Sequence, residues 1–131
     1  MLETPDFSGA FGIGSRAEVP LVAEIPAPFG KGPPLRLNAV IDRLVIEPRR
    51  LLVIDYKTNR PPPADPSGVA AAYMVQLAAY RLALRRIYPD REIRAAILWT
   101  DGARLMELPP ALLDKAEQDL WQLAKSRLDA R

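Results

Sequence analysis

The chain has 131 residues, of which 49% are hydrophobic and 26% are charged, and this composition is typical of a single globular domain. Its formal net charge of +2 does not by itself indicate a nucleic-acid partner, and no apolar run or leader-like start predicts a membrane span or a secretion signal. Cysteine and histidine are absent, which excludes disulfides, thiolate or imidazole metal sites and Ser-His-Asp catalysis. We therefore expect a cytoplasmic protein without a membrane partner, whose chemistry uses carboxylates, lysine, tyrosine or a hard metal ion.

The first half of the chain is predicted to be β-structure that follows a weakly patterned lead-in, residues 1–16. β-Branched or alternating apolar residues between Pro- and Gly-rich turns indicate three strands, which span residues 17–25, 35–46 and 51–58. The turn "EPRR" at residues 47–50 favours a hairpin between the second and third strands, because Pro48 suits the second position of a turn. Proline-rich residues 59–68 exclude helix and central strand.

The second half combines two predicted helices with a second hairpin. Residues 69–88 are rich in alanine and leucine and end before Pro89, a pattern that predicts a helix. The Asp-Gly pair at 101–102 predicts a two-residue hairpin loop between strands. Residues 109–130 are amphipathic and begin with proline, which predicts the final helix. This order predicts one α/β domain over residues 17–131, with a mixed central β-sheet flanked by α-helices.

Two carboxylates are predicted to face each other across the first hairpin. A loop centred on residues 47–50 that pairs the strands around it places Asp42 opposite Asp55. Facing carboxylates repel, and either Lys57 on the same face or a divalent cation would offset the repulsion. Oxygen ligands without histidine or cysteine suit Mg²⁺, with Mn²⁺ as a substitute. This set predicts metal-assisted phosphodiester hydrolysis, although Asp-x-Lys on a strand is also typical of a surface ion pair.

Polar side chains also share one face of the first predicted helix. Tyr73, Gln76 and Tyr80 are three and four residues apart, so they project from the same side. The polar tips of Gln76 and Tyr80 suit hydrogen bonds to a phosphate, a base or Lys57. The alternative is an ordinary core tyrosine beside a glutamine at the edge of the core.

As a set, three segments resemble the motifs of RecB-type nucleases in the PD-(D/E)XK superfamily. "NAVIDRL" resembles the GxxD motif, "VIDYKTN" the (D/E)xK motif and "YMVQLAAYRLAL" the QxxxY motif. The set is most similar to the C-terminal nuclease domain of the AddA subunit of bacterial AddAB helicase–nucleases, over roughly residues 17–110. The resemblance implies a restriction-endonuclease-like core.

The resemblance also implies a function and partners. It predicts a Mg²⁺-dependent exodeoxyribonuclease domain that cuts single-stranded DNA delivered by a helicase during double-strand break repair. ATP would serve only the helicase portion of a longer parent chain, and an AddB-type subunit would be the protein partner.

The motifs assign roles to individual residues. Asp42, Asp55 and the backbone carbonyl of Tyr56 resemble the metal ligands, and Lys57 resembles the catalytic lysine. Glu18 resembles an acidic residue that such nucleases carry on an earlier strand.

Further residues are predicted around this centre. Gln76 and Tyr80 resemble the pair that supports the site and the DNA. Arg43 and Arg60 flank the predicted site and are the candidate phosphate contacts. Glu24 competes with Glu18 for the role of the earlier acid.

The sequence departs from the family pattern at two points. Ala39 stands at the glycine of GxxD, and the histidine that RecB-type sites carry on a helix before the first strand is missing. We expect that the sequence begins after that helix, so that the metal site is incomplete and the isolated piece is weak or inactive.

Three other interpretations remain open. The first is a non-catalytic DNA-binding or subunit-docking module with a nuclease fold. The second is a Cas4-like exonuclease, although its usual iron–sulfur cluster needs cysteines that this sequence lacks. The third is a plain interaction domain, which predicts no metal affinity.

Overall fold

In the described residues, 14–28 and 32–129, the computed structural model contains one five-stranded sheet with the order β1-β2-β3-β4-β5. Side chains are described as far as residue 123. The strands are β1 (Ser15–Ile25), β2 (Leu35–Ile46), β3 (Arg50–Lys57), β4 (Glu92–Trp99) and β5 (Arg104–Glu107). The helices are α1 (Ala71–Ile87) and α2 (Pro110–Asp129), and a 3-10 turn at Pro66–Gly68 precedes α1. None of the described helices is long and apolar enough to cross a membrane.

The sheet is mixed, as predicted. β2 pairs antiparallel with β1 and β3, and β5 pairs antiparallel with β4. β3 and β4 are parallel, so the chain must cross over between them, and α1 makes this connection. α1 contacts four strands, whereas α2 packs on α1. The prediction of an α/β fold with a mixed central sheet and helices is confirmed.

β3 is buried along most of its length. Residues 51–54 are all 0–1% exposed, since both faces of this strand are covered. Leu51 and Val53 join the main core beneath α1, while Leu52 and Ile54 join a smaller apolar cluster on the opposite face. A central strand that is buried on both faces reads as a continuous apolar run, as residues 51–54 do.

Several predicted boundaries move in the structure. The lead-in predicted for 1–16 ends earlier, because Ser15 and Arg16 pair with the end of β2; residues 1–13 lie outside the described residues. The helix predicted from residue 69 begins at 71, after the 3-10 turn.

The two-residue loop predicted at 101–102 is wrong. The last pair of β4 and β5 is Trp99 with Arg104, so four residues form the loop. Gly102 and Ala103 both have positive φ, 87° and 49°. Two successive left-handed residues complete a longer turn, which the Asp-Gly signal alone did not distinguish.

A buried arginine joins the two helices. Arg81 on α1 is 1% exposed, and its Nη2 lies 2.6 Å from Oδ1 of Asp114 and 3.3 Å from Oε2 of Glu117, both on α2. Its aliphatic stem is therefore part of the packing and its guanidinium is used within the protein.

We expect Arg81→Ala to lower the free energy of unfolding by roughly 2–3 kcal/mol, because it removes a buried stem and the ion pairs that join α1 to α2. Urea denaturation would measure the loss. Arg86→Ala, at an exposed position of the same helix, is the matched control and should change stability little. Equal stability of the two variants would contradict a structural role for Arg81.

Candidate active site

β2 and β3 separate where the two aspartates stand. The predicted register is confirmed from Ile46–Leu51 to Arg43–Ile54, and the ladder ends there, one position before Asp42 and Asp55. Beyond that point β3 follows β4, with Asp55 aligned with Ile97. The aspartates are therefore not a ladder pair. They lie on two strands that diverge, and we call this point of divergence between β2 and β3 the fork.

At the fork, a hydrogen bond to a side chain replaces the next backbone hydrogen bond of the β2–β3 ladder. Oδ2 of Asp42 accepts a hydrogen bond from the backbone N–H of Tyr56 at 2.8 Å. This bond satisfies a main-chain donor that β2 no longer reaches, and it places the Asp42 carboxylate beside the peptide that follows Asp55.

β2 also turns at this position. Ile41 and Leu44 are three residues apart, yet both pack in the main core, whereas Val45 belongs to the opposite face. The alternation of side chains therefore changes phase at residues 42–43. This phase change directs Arg43 away from the aspartates, since its Nε donates to the hydroxyl of Tyr56 at 2.8 Å and its Nη1 to Oγ of Ser15 at 2.8 Å.

Glu18 stands across from the fork on β1. Its neighbours Ala17 and Val19 pair with Arg43 and Ile41, so Glu18 lies at the level of Asp42, and its φ is 52°. A positive φ is uncommon for a residue with a side chain and disrupts the local pairing. The Glu18 side chain is exposed.

The competing acid lies elsewhere. Glu24 aligns with Arg36 near the other end of β1, and the two exposed side chains form an ion pair at 3.8 Å. Within the part of the chain that is described, no group of three acids, histidines or cysteines is close enough to hold a metal ion, so Glu18 is not brought into one cluster with the aspartates.

Four of the predicted residues form one polar chain. Nζ of Lys57 lies 2.8 Å from Oδ2 of Asp55 and donates to Oε1 of Gln76 at 3.0 Å. The amide nitrogen of Gln76 donates to the hydroxyl of Tyr80 at 2.9 Å. An ammonium has no acceptor, so Oε1 must face Lys57, and Tyr80 fixes the other end of the amide. α1 thus fixes the position of Lys57 on β3 through Gln76.

Burial dominates the electrostatics of Asp55. The residue is 4% exposed, and its pKa is raised from 3.8 to about 6. Burial is the largest cause; the contact with Lys57 lowers the pKa, and the nearby carboxylate of Asp42 raises it. Burial also raises the pKa of Tyr80, and the charge of Asp55 adds to this effect. Burial makes the charged form of Asp55 unfavourable, and this fits a residue with a chemical role rather than a stabilising one.

Other site residues were not predicted from the sequence. The Tyr73 ring lies against Lys57, with 4.5 Å from Nζ to the ring centroid. Thr100 donates its N–H to the carbonyl of Lys57 at 2.9 Å, and its hydroxyl lies 2.6 Å from that of Thr58. Tyr73 shares the helix face of Gln76, which was a usable signal, but the threonines meet only because β3 and β4 are parallel. Arg60 is exposed in the loop after β3.

The donor set at the fork fits a hard cation. Asp42 and Asp55 supply two carboxylates, one of them buried, and the Tyr56 carbonyl follows directly after Asp55. One lysine offsets only part of their charge. Mg²⁺ is commonly held by one or two carboxylates, with water and substrate as its other ligands, so the two acids are sufficient for such a site.

A mixed sheet with Asp-x-Lys at the end of a central strand, below a crossover helix, defines a restriction-endonuclease-like α/β protein. A family model described as the PD-(D/E)XK nuclease superfamily matches residues 10–130. The chain belongs to this superfamily, whose members are generally metal-dependent nucleases.

No curated protein matches the chain. Among solved structures, the chain is similar to one titled "Crystal structure of SSO0001", with 17% identity and a TM-score of 0.45. The match covers 90% of this chain and 55% of that one.

The raised pKa of Asp55 predicts an unusual pH dependence of stability. Between 3.8 and about 6, the folded protein keeps a proton that the unfolded chain has released. The free energy of unfolding of the metal-free protein should therefore fall as the pH rises through this range, by up to about 3 kcal/mol. Asp55→Asn should lack this fall.

Urea denaturation in the presence of a chelator, at a series of pH values, would measure this fall in the free energy of unfolding. Asp101→Asn, at an exposed loop position, is the control and should behave as the wild type. The same pH dependence in Asp55→Asn and wild type would show that Asp55 titrates as an ordinary surface carboxyl.

Proposed function

We propose that this chain is the Mg²⁺-dependent exodeoxyribonuclease domain of a helicase–nuclease that acts in double-strand break repair. The observation that supports it most is the continuous contact from Asp55 through Lys57 and Gln76 to Tyr80, beside Asp42. Three sequence motifs supply these residues, and the fold brings them to one place. Assignment to an AddA-type parent, with an AddB-type partner and ATP used by the helicase portion, is supported by the resemblance of the motifs.

The residues of the chain divide the work of phosphodiester hydrolysis. When bound, Mg²⁺ would supply an activated water and would neutralise charge on the phosphate. Asp42, Asp55 and the Tyr56 carbonyl would hold the cation. Lys57 pairs with Asp55 and donates to Gln76, and its ammonium, which has three donors, stabilises negative charge that develops on the phosphate oxygens.

Gln76 and Tyr80 act on Lys57 rather than on the substrate. Their hydrogen bonds fix the ammonium at the end of a long flexible stem, where an unsupported lysine would sample many rotamers. Asp55 has a second role here, because its ion pair keeps Lys57 next to the cation. Preorganised charge of this kind needs no rearrangement when the reaction occurs.

A second candidate function is a non-catalytic DNA-binding or docking module. It is favoured by the lack of a third acid near the two aspartates in the described part of the chain. The two candidates differ in their predictions, because a module without chemistry has no need for a cation at a buried carboxylate.

Lys57→Ala should lower the rate of cutting of a labelled single strand in Mg²⁺ by about 10²-fold or more, because it removes a preorganised positive charge. Binding of the same strand, measured by fluorescence anisotropy, should be largely unchanged. Lys115→Ala, an exposed lysine on α2, is the matched control and should cut as the wild type. Wild-type cutting by Lys57→Ala would contradict the nuclease assignment of this site. The assay should also be run in the longer parent chain.

Mn²⁺ titration by calorimetry tests the ligand set independently of cutting. Asp42→Asn and Asp55→Asn should abolish saturable binding, because each removes a carboxylate ligand. If Glu18 completes the site directly or through water, Glu18→Gln should weaken binding by about 10-fold. Glu24→Gln is its matched control on the same strand and should bind as the wild type.

Two outcomes would change the assignment. Equal affinities for Glu18→Gln and Glu24→Gln would remove Glu18 from the ligand set. Unchanged binding in Asp55→Asn would contradict the metal site itself and favour the non-catalytic module.

A further inference from the structure

The ammonium of Lys57 has a third neighbour besides Asp55 and Gln76. Its Nζ lies 4.5 Å from the centroid of the Tyr73 ring, on the face of the ring. At this distance the negative quadrupole of an aromatic face attracts a cation. The three neighbours come from different directions, because Asp55 is on β3 with Lys57 while Tyr73 and Gln76 are one turn apart on α1.

The Tyr73 ring is itself held in place. It packs in a tilted arrangement against Trp99, with the ring centroids 6.4 Å apart, and Trp99 is fully buried and aligned with Lys57 in the parallel ladder. The Tyr73 hydroxyl lies 3.4 Å from Oδ1 of Asn59, in the loop after β3. A ring supported from a strand, a loop and its own helix presents a fixed face to Lys57.

An aromatic face differs from a carboxylate or an amide in what it requires of a lysine. A further acceptor would take the third Nζ proton as a hydrogen bond, and a further carboxylate would oppose an approaching phosphate. The ring attracts the positive charge as a whole and carries no negative charge. It therefore restrains the ammonium while a donor remains for the substrate.

We propose that Tyr73 is a positioning residue for Lys57, whose ring face holds the ammonium in the orientation that serves a phosphate oxygen. This proposal rests on the proposed nuclease function. It separates two parts of Tyr73: the ring acts on Lys57, whereas the hydroxyl acts on the loop through Asn59. Tyr73→Phe keeps the first part, and Tyr73→Leu removes both.

Nuclear magnetic resonance of lysine labelled with ¹³C at the ε-carbon tests the contact without DNA or metal. The sequence has only four lysines, so the spectrum is simple, and Lys57→Ala identifies the signal of Lys57. In the wild type and in Tyr73→Phe, the ε-protons of Lys57 should be shifted upfield by the ring and the ε-carbon should be more ordered than in the other lysines. In Tyr73→Leu the upfield shift should disappear and the order of the ε-carbon should fall, because only Asp55 and Gln76 still hold the ammonium. An unshifted wild-type signal, or equal order in Tyr73→Leu and wild type, would overturn the proposal.

Kinetics then test the consequence for catalysis. In Tyr73→Leu, kcat should fall about 10-fold with little change in KM for DNA, while Tyr73→Phe should retain wild-type kcat. Tyr88→Leu is the control, because Tyr88 also faces a cation, Arg91, 5.1 Å from its ring centroid, but contributes nothing to the contacts of Lys57. Equal kcat in Tyr73→Leu and Tyr73→Phe would overturn the positioning role. If no protein cuts DNA, either alone or within the longer parent chain, the proposed function fails, and the resonance measurements still decide whether Tyr73 positions Lys57.

Discussion

The site depends on one constraint: β3 must pair with β2 over its first half and leave β2 before its end. A strand in the middle of a sheet normally satisfies its main chain on both sides. Here the N–H of Tyr56 is instead bonded to the carboxylate of Asp42. Because this side-chain hydrogen bond replaces a backbone one, the sheet opens without leaving a buried donor unpaired. The same bond brings a carboxylate from β2 next to the one on β3. Without the fork, Asp42 and Asp55 would be a repulsive cross-strand pair and the Tyr56 peptide would be closed to a ligand.

Holding a buried carboxylate in this opening disfavours the folded state, and the rest of the fold offsets the cost. β3 is anchored by four consecutive apolar residues, 51–54, whose burial on both faces makes it hard to shift. α1 lies over the end of the strand and contributes three polar or aromatic side chains to Lys57 and its partners. The core therefore supplies the rigidity, and the unfavourable buried carboxylate lies at the end of the strand. This division explains why the reactive groups lie at the edge of the best-packed element rather than on a loop.

The sequence predicted the elements, the hairpin register and the grouping of Asp55, Lys57, Gln76 and Tyr80, because these follow from local patterns. Apolar alternation and a short turn determine the pairing of Ile46 with Leu51, and helical spacing places Gln76 near Tyr80. The fork could not be predicted in the same way, since the end of a ladder depends on β4, which lies far away in sequence. The phase change at residues 42–43 is also tertiary, and it directs Arg43 to Tyr56 and Ser15 rather than toward the aspartates. A strict alternation of side chains, extended through Asp42, does not predict this change of phase.

The charge balance at the fork suits a phosphodiester. With both aspartates ionised, Asp42, Asp55 and Lys57 together carry one net negative charge, and a divalent cation would change this to one positive charge. A phosphodiester would bring one negative charge and would gain another once the attacking water has lost its proton to solvent, so its attraction to the site would increase as the reaction proceeds. A third acid among the ligands would remove the net positive charge and weaken this gain. The exposed position of Glu18, across from Asp42 but outside the polar chain, therefore agrees with a site in which water and the substrate, rather than another carboxylate, complete the shell of the cation.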